Sequence, residues 1–197
     1  MKTLDAYEIV KELIGSNLST EQEHINNKGA MGHQLEKLLG LKLNNNLRDF
    51  DDGELKTFHY NNNNQVKEDF RITSIWDLDK IKEKLSNLLV VGADSSNNII
   101  YVEILRPLEN RFFNKRFEEE VPFMIAKGPM ECSQSDTKVF IAKTQGAGGN
   151  ARKTRSLYIS RAWAHALFHG VYPPRARKGK ELVPEFELSL NLSENNT

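Results

Sequence analysis

One short segment, Glu54-Leu55-Lys56, limits what this chain can fold into more than any other. Side chains alternate along a strand, so Glu54 and Lys56 share one face while Leu55 turns to the other. One face of the strand is then chemical and the other belongs to a core. Asp49 precedes this segment across Phe50, Asp51, Asp52 and Gly53, and the Asp52-Gly53 pair predicts a turn. The expected result is a hairpin that folds the Asp49 carboxylate back beside Glu54. Two carboxylates are hard oxygen ligands suited to Mg²⁺, a cation that keeps several waters, polarises a phosphoryl oxygen and lowers the pKa of a bound water. Lys56 is placed to orient or activate such a water. The set suits metal-dependent cleavage of a phosphodiester, although short acid and Glu-x-Lys combinations also recur on solvated hairpins.

Upstream, Met31, Leu35, Leu38 and Leu39 recur at helical spacing and Gly40 supplies a stop, which predicts a short packed helix. Glu36 lies beside this stripe, on the side of Gly32 and Gly40, where small residues let another backbone approach. Glu36 either reaches the acidic site or is a solvated helix residue paired with a neighbour.

These residues together resemble the MutH mismatch-repair endonucleases and the GATC-cutting type II restriction enzymes related to them. That family carries Lys-Gly-x-x-Gly-x-x-x-Glu, then Asp-Phe, then Glu-Leu-Lys. The same order appears here as Lys28 to Glu36, Asp49-Phe50 and Glu54-Leu55-Lys56. Lys143-Thr144-Gln145-Gly146-Ala147 and Lys153 to Arg161 resemble the family's DNA-reading loop and the strand that follows it. The resemblance covers most of residues 27–170. It implies an α/β, restriction-endonuclease-like fold with a mixed central sheet flanked by helices. It also implies a catalytic set of Glu36, Asp49, Glu54 and Lys56, with Mg²⁺ on Asp49 and Glu54. Lys84 resembles a further family lysine near the phosphate, and Tyr158 a tyrosine near the adenine that methylation marks. A solvated helix lysine and a half-buried strand aromatic are the plainer readings of those two residues. The spacing from Asp49 to Glu54 is shorter than in MutH-like members, which leaves Asp51 and Asp52 as alternative ligands; Asp49 is preferred because Phe50 follows it. Gln145 stands where the family usually has Lys, and Gln suits adenine where Lys or Arg suits guanine.

The formal charge is zero, with 27 Lys and Arg against 27 Asp and Glu, but its distribution is uneven. No Asp or Glu occurs from Thr137 to Lys180, a window that holds Lys138, Lys143, Arg152, Lys153, Arg155, Arg161, Arg175, Arg177, Lys178 and Lys180. A block of one sign suits phosphate tracking. The Gly-rich run Gln145 to Asn150 lacks the Gly-Lys-Ser/Thr ending of a nucleotide loop, and a loop entering a DNA groove fits it better. The expected DNA-facing set is therefore Lys143, Gln145, Gly146, Arg152, Lys153, Arg155, Tyr158 and Arg161.

A length of 197 residues and 39% hydrophobic content suit one domain, here a single endonuclease domain over 1–197 with a catalytic core at 27–105 and a DNA-reading segment at 138–180. No apolar run spans a bilayer and no signal-peptide core follows Met1, so a cytoplasmic location is expected. The lone Cys132 leaves no internal disulfide or cysteine-based zinc cage and reads as inert.

Further elements are read from pattern. A helix over 4–14 carries Leu4, Ile9, Val10, Leu13 and Ile14 on its apolar stripe, and a helix over 77–87 is capped near Asp77 with Ile81 and Leu85 inward. Strands are expected at 88–93 and 98–105, joined as a hairpin, and at 139–142 and 157–160. His165 and His169 lie on a helix over 160–169 at metal-ligand spacing, but read as packing or surface histidines in the absence of the zinc-protease Glu. Alternating Phe186, Leu188, Leu190 and Leu192 suggest a last strand that completes the sheet or pairs with another subunit, before a disordered 193–197. The leading expectation is a Mg²⁺-dependent type II restriction endonuclease acting on double-stranded DNA at a short specific sequence, potentially as a homodimer. A MutH-type nicking enzyme directed by mismatch-repair partners is the alternative within the class; a non-catalytic DNA-binding module is the alternative outside it.

Overall fold

The run Leu88-Leu89-Val90-Val91-Gly92-Ala93 has no polar side chain, is buried along its whole length and takes the middle of a sheet. In the computed structural model, which describes residues 1–18, 29–41, 48–144 and 154–170, the elements follow in this order. They are α1 (Thr3–Lys11), α2 (Ala30–Leu38), β1 (Glu54–His59), β2 (Phe70–Thr73), α3 (Leu78–Ser86), β3 (Leu88–Ala93) and β4 (Ile99–Leu105). A 3₁₀ turn (Pro107–Glu109), α4 (Arg111–Lys127), β5 (Phe140–Thr144), β6 (Arg155–Ile159) and α5 (Arg161–His169) complete them.

The fold is mixed α/β with small sheets flanked by helices. Among the described residues the strands form two three-stranded sheets, ordered β1-β3-β4 and β2-β6-β5, rather than one central sheet. Hydrophobic alternation reports which face of a strand is buried and not which strand lies beside it. The chain divides into two compact units, Met1–Glu68 with Glu83–Leu105 and Asp69–Lys82 with Arg106–Thr197.

In the first unit β1 pairs parallel with β3, and β3 pairs antiparallel with β4. Asp94 closes the β3–β4 turn by accepting from Ser96 N at 2.8 Å and Asn98 N at 2.9 Å, so the expected hairpin is present. Leu55, Leu89 and Val91 join Ala6 and Val10 of α1 and Met31 and Leu35 of α2 in one buried cluster. The stripe read for α1 is corrected: Thr3, Ala6 and Val10 are buried, whereas Leu4, Ile9 and Ile14 are exposed. Small Ala6 lets the helix sit close to the sheet, which rotates its larger aliphatics outward. In α2, Leu38 is likewise exposed, and the helix stops at Gly40, where φ is +66°.

The second unit has an antiparallel sheet, with β6 between β2 and β5. The 17-residue α4 carries Phe113, Phe117, Val121 and Met124 at helical spacing and buries them, although Pro122 lies inside it. Glu120 is buried and accepts from Lys138 N, Val139 N and Phe140 N at 3.1, 3.0 and 2.9 Å, which ties α4 to the start of β5. Phe112 of α4 stacks on Trp163 of α5 with centroids 4.8 Å apart. Asn110 caps α4 by accepting from Phe112 N and Phe113 N. No helix among the described residues is long and apolar enough to cross a membrane.

The Asp52-Gly53 pair does not turn a hairpin. Residues 49–52 form a bend, no strand precedes it among the described residues, and the partner of β1 is β3. Gly53 serves close approach instead: a Cβ there would lie 2.3 Å from Thr3 Oγ1 and 2.6 Å from Asn87 O. Gly53→Ala is expected to lower stability by about 2 kcal/mol through overpacking, read as a shift of the urea midpoint at unchanged m.

Candidate active site

Asp49 and Phe50 divide the work at the bend. Phe50 is buried in the cluster beneath β1, which anchors the bend, and burying such a ring contributes roughly 2 kcal/mol. With Phe50 held, the Asp49 carboxylate returns to the edge of β1 and accepts from Leu55 N at 2.9 Å. The carboxylate thus lies beside Glu54 as expected, though a bend rather than a hairpin brings it there.

Glu54 is buried, and its Oε1 accepts from two ammonium groups, Lys56 Nζ at 2.6 Å and Lys84 Nζ at 2.7 Å. The first contact follows from the two-residue period of β1; the second crosses from the last turn of α3. Oε2 of the same carboxylate is buried and has no hydrogen-bond partner among the described residues. A buried carboxylate oxygen without a partner is costly, and cations and hydrogen-bond donors are what relieve it. Burial raises the pKa of Asp49, the charge of Glu54 raises it further, and the Leu55 N–H and the charges of Lys56 and Lys84 oppose the shift. The carboxylates of Asp49 and Glu54 are therefore electrostatically coupled.

This donor set fits Mg²⁺. Among the described residues no group of three or more His, Cys, Asp and Glu side chains gathers to hold a metal. Two carboxylates are what Mg²⁺ commonly takes from a protein, its other positions going to water and phosphate oxygens. Asp49 and the free oxygen of Glu54 are the residues that would hold it.

The other acids nearby are otherwise engaged. Asp52 Oδ1 accepts from Thr3 N at 2.7 Å and Thr3 Oγ1 at 2.8 Å, at the first turn of α1. Burial works against its charge, but the Thr3 hydrogen bonds outweigh burial and hold its pKa down. The exposed Asp51 carboxylate is 3.1 Å from the Met1 amino nitrogen. Asp49 is thus the ligand the geometry favours of the three. Glu36 lies on α2, and Gly32 of that helix comes close to Thr57 of β1. The carboxylate of Glu36 contacts His33 Nδ1 at 3.3 Å, a helical i,i+3 pair, so the arrangement observed for it is the helix-surface one. Lys28 is outside the described residues. Asn87 accepts from Glu54 N, and Arg48 and Glu83, which pair with each other, adjoin Asp49 and Lys84 in the chain; none of the three was singled out from the sequence, where that adjacency was the available signal.

In the second unit, Lys143 on β5 pairs with Asp69 Oδ2 at 2.5 Å and lies 5.8 Å from the Tyr158 ring centroid. Asp69 Oδ1 also accepts from Arg161 N at 2.7 Å, at the amino end of α5. The block read as one-signed is therefore partly neutralised by an acid from outside it. Arg155 donates from Nη1 to the carbonyls of Cys132 and Pro129, so it staples a turn to β6. Tyr158 is half-buried, and Arg161 is exposed. Gln145, Gly146, Arg152 and Lys153 are outside the described residues, as are Phe186, Leu188, Leu190 and Leu192. Cys132 is buried, and burial first of all raises its thiol pKa, as expected of an inert cysteine. His165 is buried against His169, with ring centroids 4.6 Å apart; burial and then the His169 charge lower its pKa.

Compared with known protein families and with curated proteins, the chain matches none.

The two carboxylates respond oppositely to neutralisation. Because the folded pKa of Asp49 is raised, its protonated form supplies stability that is present at low pH and lost as pH rises through that pKa. Asp49→Asn is therefore expected to raise the melting temperature of the metal-free protein at neutral pH. Glu54→Ala leaves two mostly buried ammonium groups without their shared partner and is expected to cost roughly 3 kcal/mol, read by urea denaturation at pH 7.

Proposed function

We propose that the chain is a divalent-metal-dependent endonuclease that hydrolyses phosphodiester bonds of double-stranded DNA at a short specific sequence, in the manner of a type II restriction enzyme. The observation that carries this reading is the Glu54 carboxylate, with one oxygen between Lys56 and Lys84 and the other buried without a partner, coupled to Asp49. An arrangement built only for stability has no use for a partnerless carboxylate oxygen next to a second acid whose ionisation burial disfavours.

When bound, a divalent cation supplies Lewis acidity to the phosphoryl oxygen and lowers the pKa of a coordinated water. Asp49 and Glu54 hold the cation. Lys56 is anchored on Glu54 and orients the attacking water, while Lys84, fixed on the same oxygen, offers positive charge to the scissile phosphate. Glu54 thereby sets both lysines and the cation relative to one another. In the second unit, Lys143, Tyr158 and Arg161 lie close together in the segment that resembles a DNA-reading strand, and they are assigned to DNA contact.

The test is digestion of methylated and unmethylated plasmid by the purified chain with Mg²⁺, followed by sequencing of the ends. Discrete fragments are expected, with loss of cleavage in EDTA and a fall of about a hundredfold in single-turnover rate for Lys56→Ala. Nicked circles without linear product assign the mismatch-repair type of activity instead. DNA left intact with both Mg²⁺ and Mn²⁺ overturns the proposal.

A further inference from the structure

The residues on either side of the site's charged groups are themselves joined. Arg48, immediately before Asp49, pairs through Nε with Glu83 Oε1 at 3.1 Å, and Glu83 immediately precedes Lys84. Beyond Lys84, Asn87 donates from Nδ2 to Asp52 O at 3.2 Å and accepts at its carbonyl from Glu54 N at 3.0 Å. Its Oδ1 is buried without a hydrogen-bond partner among the described residues. The bend that carries Asp49 is thus gripped from two sides by the end of α3, with the Glu54–Lys84 contact of 2.7 Å between the grips. The Glu54 N–Asn87 O bond continues the β1–β3 ladder, whereas the Arg48–Glu83 pair and the Asn87 side-chain bond to Asp52 O lie outside both the ladder and the core beneath β1.

We infer that Arg48, Glu83 and Asn87 are positioning residues that clamp the Asp49 bend to the last turn of α3, fixing the separation of the two carboxylates and so the affinity for a divalent cation. This rests on the metal-dependent reading proposed above. Outer partners of ligating groups commonly change metal affinity by roughly tenfold or more when removed. The Arg48–Glu83 pair is partly exposed, so its contribution to folding is small and its effect lies in geometry.

The experiment titrates the full chain with Mn²⁺ and reads free Mn²⁺ by electron paramagnetic resonance, with thermal melts alongside. Variants are Arg48→Glu, Glu83→Arg and the double reversal. Charge acting alone has opposite signs for the two single variants: an added acid beside the site tightens cation binding and an added base weakens it. A clamp predicts that both weaken binding, each by roughly tenfold, and that the double reversal recovers most of the loss because the pair re-forms. Tighter or unchanged binding by Arg48→Glu, or no recovery in the double variant, overturns the clamp. Should a reversal fail to fold, Glu83→Gln is expected to weaken Mn²⁺ binding at nearly constant shape, and unchanged affinity there also overturns it. A wild-type chain that binds no Mn²⁺ overturns the metal-dependent reading and the clamp together, whereas wild-type binding with insensitive variants overturns the clamp alone.

Discussion

The Glu54 carboxylate is the constraint around which the first unit is arranged. It is buried, so its charge has to be met locally, and two ammonium groups meet it at one oxygen. One comes from its own strand and one from α3, so a single acid couples the edge of the sheet to a helix end. Removing water from three ionised groups is expensive, and mutual attraction repays that cost only with close geometry. Close geometry is what the core supplies, through Leu55 and Phe50 on the far side of the same backbone. The same burial that makes the site costly is what strengthens its electrostatics toward a cation or a phosphate.

Carboxylates do structural work elsewhere in the chain, and the contrast is informative. Glu120 satisfies three backbone amides at the entry to β5, and Asp52 satisfies Thr3 at the start of α1. Asp69 meets both Lys143 and the first amide of α5. In each case donors converge on the acid. At Asp49 and Glu54, by contrast, one buried oxygen lacks a donor among the described residues and the two charges oppose each other.

Much of the local structure was legible in the chain. The alternation of Glu54, Leu55 and Lys56, the cap at Asp77 and the buried strand 88–93 all depend on neighbours in sequence, and all appear in the structure. The hairpin assigned to Asp52-Gly53 failed because dipeptide turn signals say nothing of what packs against the glycine, here Thr3 and Asn87. The α1 stripe held at Val10 and Leu13, which pack in the core cluster, but Ala6 is buried there while Leu4, Ile9 and Ile14 are exposed. Helix α4 was missed although Phe113, Phe117, Val121 and Met124 keep helical spacing, because an internal proline counts against a helix, and strand β2 because four residues carry little pattern.

By itself the sequence determined that Glu54 and Lys56 share a face of β1, and that the segments around 30–39, 78–86, 88–93 and 99–105 are helix, helix, strand and strand. Those properties follow from backbone periods that span only a few residues. The tertiary structure alone decided that Lys84 joins Lys56 on Glu54, that Asp52 is spent on α1, that Asp69 answers Lys143, and that the described strands form two sheets instead of one. These depend on contacts between residues far apart in the chain, whose partners are selected by the packing of the whole unit rather than by any local pattern.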